Sequence, residues 1–133
     1  VPFIKESPMS ESQPSCSRGA IRGNVLVVEV LVDQIRDPET SYALRDEILS
    51  LMKAGEIRHV VIDLAHVKFL GSVGLLAFLA VRRQLEDGSI ILCNVAEGIQ
   101  SMLEICMLAS KDPAKMAPFQ VEASVEEAVA RVG

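Results

Sequence analysis

The hydrophobic pattern changes period several times along the chain, and each change marks an element. Val25-Leu26-Val27-Val28-Glu29-Val30-Leu31-Val32 is a nearly continuous apolar run rich in β-branched residues, as expected of a buried strand. Gly23-Asn24 just before it is a turn signal, and Ala20-Ile21-Arg22 on the far side reads as a short strand paired with it. After Asp37-Pro38-Glu39 the period lengthens. Leu44, Ile48, Leu51 and Met52 recur at i, i+4, i+7 and i+8, which is one face of a helix. Asp37 suits the cap of that helix, Pro38 its first position and Glu39 the positive end of its dipole. Lys53 and Gly55 close it.

From there strands and helices alternate. His59-Val60-Val61-Ile62-Asp63-Leu64 reads as a strand, and Ser72 then opens an apolar helix expected to run to about Asp87 and stop at Gly88. Ser89-Ile90-Ile91-Leu92-Cys93-Asn94 is the next strand. Asn94 and Glu97 have the spacing of a cap and its reciprocal partner, and Ile99, Met102, Leu103 and Cys106 form the apolar face of the helix they would start. A loop containing Pro113 and Pro118 leads to the short strand Phe119-Gln120-Val121. Ser124-Val125-Glu126-Glu127 is a capping box, followed by the stripe Val125, Ala128, Val129 and Val132. The order is strand, strand, helix, then strand and helix three times. It predicts an α/β fold with a mostly parallel mixed sheet of about five strands, its opening pair antiparallel, and about four helices. Residues 1–19, with Pro2, Pro8 and Pro14 among serines, read as a flexible leader, and residues 20–133 as one domain.

Composition narrows what this fold does. Half of the 133 residues are apolar but only 4% are aromatic, so the core is expected to be aliphatic. The net charge of −5, with no basic cluster, argues against nucleic acid and against an anionic membrane surface as partners. The longest apolar stretch, 73–81, is too short to span a bilayer. Three cysteines, an odd number with none close to another, suggest a reducing compartment, hence the cytoplasm. Cys93 and Cys106 sit in apolar patterns and read as core thiols. His59 and His66 have no Cys or His at ligand spacing, so no metal is expected on them. There is no P-loop lysine after Gly71-Ser72-Val73-Gly74 and no nucleophile elbow. A response-regulator receiver is disfavoured too: Asp63 is followed by Leu64 and Ala65, and Lys111 precedes the last strand. No catalytic residue and no cofactor is expected, which leaves protein binding.

The candidate surface is the start of the Ser72 helix. Val73, Leu75, Leu76, Ala77, Phe78, Leu79, Ala80 and Val81 make it apolar nearly all round, so covering the sheet leaves an apolar face over. Gly71 and Gly74 flank the serine and leave its hydroxyl and the helix-end amides accessible, where a phosphate suits the dipole. Gly71, Ser72, Val73, Gly74 and Leu76 are the expected docking residues. The plain alternative is that Ser72 only caps a helix whose faces are covered by neighbouring helices.

The stretch Val60-Val61-Ile62-Asp63-Leu64-Ala65-His66-Val67-Lys68-Phe69-Leu70-Gly71-Ser72-Val73-Gly74-Leu75-Leu76 resembles the STAS domains of bacterial anti-sigma-factor antagonists, and the resemblance extends over about residues 20–132. In that family an apolar strand ends in Asp-Leu and a short link leads to Asp-Ser-Ser/Thr-Gly-Leu at a helix start. The resemblance implies a cytoplasmic protein that binds an anti-sigma factor acting also as a serine kinase. It implies phosphorylation at Ser72, which blocks that binding, and a serine phosphatase that restores it. Gly71 stands where the family has Asp, and Val73 where it has a second Ser or Thr. The family's other recurrent acidic position, before the first helix, falls on Asp33 or Asp37. A STAS scaffold that is never phosphorylated, in a signalling assembly or beside a transporter, is the alternative that Gly71 favours.

Overall fold

The opening hairpin turns on Gly23, whose φ of +63° lies in the left-handed region that glycine enters without strain. It joins β1 (Ser17–Arg22) to β2 (Val25–Val30), antiparallel, with Ala20 opposite Val27. The computed structural model describes residues 16–85, 87–105, 109–110 and 118–132. After β2 come β3 (Gln34–Ile35), α1 (Pro38–Met52), β4 (His59–Asp63), β5 (Phe69–Leu70), α2 (Ser72–Arg83) and β6 (Ile90–Cys93). They are followed by α3 (Glu97–Ile105), β7 (Ala109–Ser110), β8 (Phe119–Glu122) and α4 (Val125–Val132). The main sheet runs β1-β2-β4-β6-β8-β7, and every pair in it except β1–β2 is parallel. The five expected strands and four helices are therefore all present. Two-residue pieces are added: β7 at the far edge, and a separate parallel pair formed by β3 and β5.

Alternate residues of the strands serve two cores. One face carries Leu26, Val28, Val60, Ile62, Ile90, Leu92, Phe119 and Val121 against α1, α2 and α3. The other carries Val25, Val61, Ile91 and Cys93 against Ala128 of α4. Because both faces of β4 and β6 are covered, they read as continuous apolar runs. Most of the described core is aliphatic, with an edge-to-face aromatic pair, Phe78 and Phe119, whose ring centroids are 6.3 Å apart. Cys93 is fully buried, and burial pushes its thiol up to about 12, the value of an inert core cysteine.

The boundaries differ from expectation in three places. The first strand begins at Ser17, inside the expected leader, because Glu47 of α1 reaches its start. The Glu47 carboxylate accepts from Cys16 N (3.1 Å), Ser17 N (3.0 Å) and Ser17 Oγ (2.7 Å). Residues 1–15 lie outside the described residues. The Ser72 helix ends at Arg83 instead of running to Asp87. Gln84 caps it, and Arg82 bends forward to donate to the carbonyl of Leu85 (3.0 Å). Asn94 does not cap α3. Its φ of +54° makes it a left-handed turn residue, and its side chain donates to Asp63 Oδ1 (2.9 Å), while the backbone of Ala96 starts the helix. Of the apolar face of α3, Ile99 and Leu103 are buried and Met102 half-buried, whereas Cys106 lies outside the described residues. Two caps are as read: Asp37 accepts from Thr40 N (3.0 Å), and Ser124 Oγ accepts from Glu127 N (3.2 Å).

Candidate functional site

Three elements, β3, β5 and α1, converge on the first turn of α2. Lys68 N and Phe69 N both donate to the carbonyl of Asp33, which zips β5 onto β3 and delivers the chain to Gly71. Gly71 N then donates to the carbonyl of Ile35 (2.9 Å). Gly71, not Ser72, is the cap of α2: its backbone is extended (φ −88°) and it has no side chain to bond the first amides. Ser72 is the first residue inside the helix. On the far side Ser41 of α1, only 1% exposed, donates from Oγ to the carbonyl of Val73 (2.7 Å).

Gly74 is fixed by packing. A Cβ on it would lie 2.5 Å from Leu70 Cδ1 and 2.7 Å from Ile35 Cγ2, closer than carbon atoms approach. A Cβ on Gly71 would instead meet Phe69 Cε2 at 3.4 Å and the carbonyl of Ile35 at 3.6 Å, ordinary contact distances. The two glycines thus have different reasons. Gly74 lets the helix sit against the β3–β5 pair, whereas the space beside Gly71 has room for a side chain.

The helix buries Gly74, Leu75, Ala77, Phe78 and Val81. Ser72 and Leu76, one turn apart, lie on the opposite, exposed face, and Leu76 is 60% exposed. Val73 is half-buried beneath α1. Of the five expected residues, then, Ser72 and Leu76 share the solvent face, while Gly71, Val73 and Gly74 hold the turn that presents them. Phe69 is a further exposed apolar residue beside the turn, at 45%, with the Arg36 guanidinium 5.1 Å from its ring centroid. Sequence reading missed Phe69 and Ser41. The signal for Ser41 was there: it lies on the stripe that continues through Leu44 and Ile48, and a polar residue on an apolar stripe has a partner to satisfy.

The acidic candidates have structural duties. Asp37 is the cap of α1, and hydrogen bonds from Thr40 hold its carboxyl below the usual range; Asp33 contributes its backbone carbonyl, and its side chain is exposed. His59 accepts from Ser89 N at Nδ1 (3.0 Å), and His66 pairs with Glu29 (2.9 Å). Among the described residues no three His, Cys, Asp or Glu side chains gather as metal ligands, and no helix is long and apolar enough to cross a membrane.

The STAS domain model matches residues 22–128, and the chain belongs to that family. Comparison with curated proteins gives no match. Among solved structures, the chain is similar to an anti-sigma factor antagonist from Mycobacterium paratuberculosis, with 25% identity, a TM-score of 0.69, and 87% of this chain and 92% of that one covered. It is similar to an anti-sigma-factor antagonist (STAS) domain protein from Planctomyces limnophilus, with 18% identity, a TM-score of 0.71, and 88% and 97% covered. It is also similar to the Bacillus cell fate determinant SpoIIAA in its phosphorylated form, with 20% identity, a TM-score of 0.63, and 88% and 99% covered.

Proposed function

We propose that this chain is a cytoplasmic anti-sigma-factor antagonist that docks an anti-sigma factor with serine-kinase activity, is switched off by phosphorylation of Ser72, and is reset by a serine phosphatase. The reading rests on one observation above all: Ser72 lies exposed at the first position of α2, with Leu76 exposed one turn further along the same face. An apolar residue next to a hydroxyl is a surface that a partner covers at little desolvation cost while the hydroxyl is free. A phosphate there adds nearly two negative charges and three oxygens that need solvating, which opposes the same burial. The helix dipole favours the phosphorylated form of the free chain, so the modification costs little until a partner must be bound. The role needs no catalytic residue and no cofactor on this chain.

The test is incubation with the cognate kinase and ATP, followed by location of the phosphate by peptide mass spectrometry. Phosphate on Ser72 is the expected result; phosphate on another residue would overturn the switch. In titrations against the same kinase, Ser72→Ala binds as the parent does and Ser72→Asp binds at least about tenfold more weakly, which is about 1.4 kcal/mol.

Gly71 favours a second reading. Where the resembled family has Asp, this chain has no side chain at all, and a STAS scaffold that docks its partner permanently needs none. Tight binding to the partner with no phosphate transfer is the outcome that selects this reading.

A further inference from the structure

The turn that carries Ser72 is poorly built to hold itself. Its cap, Gly71, contributes no side-chain hydrogen bond, and no acidic residue lies in the first turn to meet the dipole. Val73 is β-branched, and Gly74 inside the turn has the weakest helix preference after proline. An isolated helix with such a start frays. Here the turn is held from outside, at three points on its inner side. Gly71 N is bonded to Ile35, Gly74 is wedged against Ile35 and Leu70, and the carbonyl of Val73 accepts from Ser41 Oγ at 2.7 Å. The first two anchors belong to the packing of the β3–β5 pair. The third is a single buried hydroxyl, and among the described residues it makes the one side-chain hydrogen bond between α1 and α2. It grips the residue immediately after Ser72.

We infer that Ser41 is a positioning residue for the switch: its hydroxyl holds the first turn of α2 in helical form so that Ser72 and Leu76 present one fixed surface to the partner. This deepens the docking function proposed above and rests on it. Without the Ser41 hydroxyl, the Val73 carbonyl keeps its own helical donor, the amide of Ala77, so no buried group is orphaned and the fold survives. What is lost is the pre-ordering of the turn, and a partner that needs the ordered turn must restore it at the expense of affinity.

Amide hydrogen exchange and partner titration, run side by side, test this. In Ser41→Ala the amides of Leu75, Leu76 and Ala77, which close the first turn, exchange about five- to tenfold faster, the factor for one lost hydrogen bond of ordinary strength. Amides of β4 and β6 exchange as in the parent. Affinity for the cognate kinase drops by a similar factor. The double variant Ser41→Ala with Gly71→Asp restores slow exchange, because the new carboxylate caps the turn by a different route and has room to do so. Unchanged exchange at Leu75–Ala77 in Ser41→Ala would overturn the anchoring. Faster exchange with unchanged affinity would overturn its role in docking. If the parent chain binds no such kinase at all, the docking function itself falls, while the exchange data still decide whether Ser41 holds the turn.

Discussion

A single absent methyl group decides how α2 meets the rest of the protein. Gly74 lies so close to Leu70 and Ile35 that any side chain there must push back the β3–β5 pair or tilt the helix. Gly74→Ala therefore trades a better helix former for an overpacked contact, and the contact wins. The variant loses about 1–3 kcal/mol of stability, read from urea unfolding. A neutral or stabilised variant would show that the contact yields easily. The sequence marked this position only as part of a glycine-flanked serine. Why one glycine is obligatory and the other is not depends on Leu70 and Ile35, the second of which lies nearly forty residues away, and spacing along the chain carries no trace of that. Ser41 differs: its place on the stripe with Leu44 and Ile48 marked it as buried, and only the identity of its partner, on another helix, lay beyond the sequence. Ser72 itself was visible, although its place was shifted by one: it reads as a cap, since serine is a good one, yet the chain bends at Gly71 because the Ile35 carbonyl takes the Gly71 amide.

At the level of elements, legibility followed locality. The α1 cap and the α4 cap are made within four residues, and both were readable. Asp37→Ala tests how much such a cap supports: α1 loses both Thr40 bonds, and the urea midpoint falls with an unchanged slope. A changed slope would mean that Asp37 has duties beyond the cap. Asn94 had the spacing of a cap and failed as one, because a long-range partner, Asp63 at the end of β4, captured its side chain. The short pair β3–β5 was invisible for a related reason. Two residues on each strand are too few for a period to show, and their pairing follows from the tertiary link through Asp33 and Lys68. The main strands were clear because both faces of the central ones are buried and so leave long apolar runs.

Taken whole, the protein should weaken in acid in two stages, with the sign the same in both. Burial lowers the pKa of the His59 imidazole, so the unfolded chain binds the proton more readily than the folded one. Stability is then complete above the ordinary histidine value of about 6.5 and falls as pH drops through the lowered one. Protonation also removes the Nδ1 acceptor that Ser89 N uses. Glu29 is held below the usual carboxylate range by hydrogen bonds from Arg18 and then His66, and Asp37 by those from Thr40. Their contributions are present at neutral pH and disappear below about pH 4. Urea midpoints measured from pH 7.5 down to 3 should begin their first decline as pH falls below about 6.5. His59→Gln, which keeps an uncharged acceptor, should flatten that first decline and leave the second; a first decline that persists would assign it to another group. The overall architecture was legible in advance because strand and helix order constrains an α/β sheet strongly. How the sheet ends at its rim was not. There Glu47 occupies the first outward amide of β1, and Arg18 and Arg22 lie along the same strand, tied down to Glu29 and, more loosely, to Glu126. An open rim is a template on which identical chains stack into fibres, and a stoppered, charged one is not. At the β1 edge, therefore, a second copy of this chain finds a poor template for adding a strand.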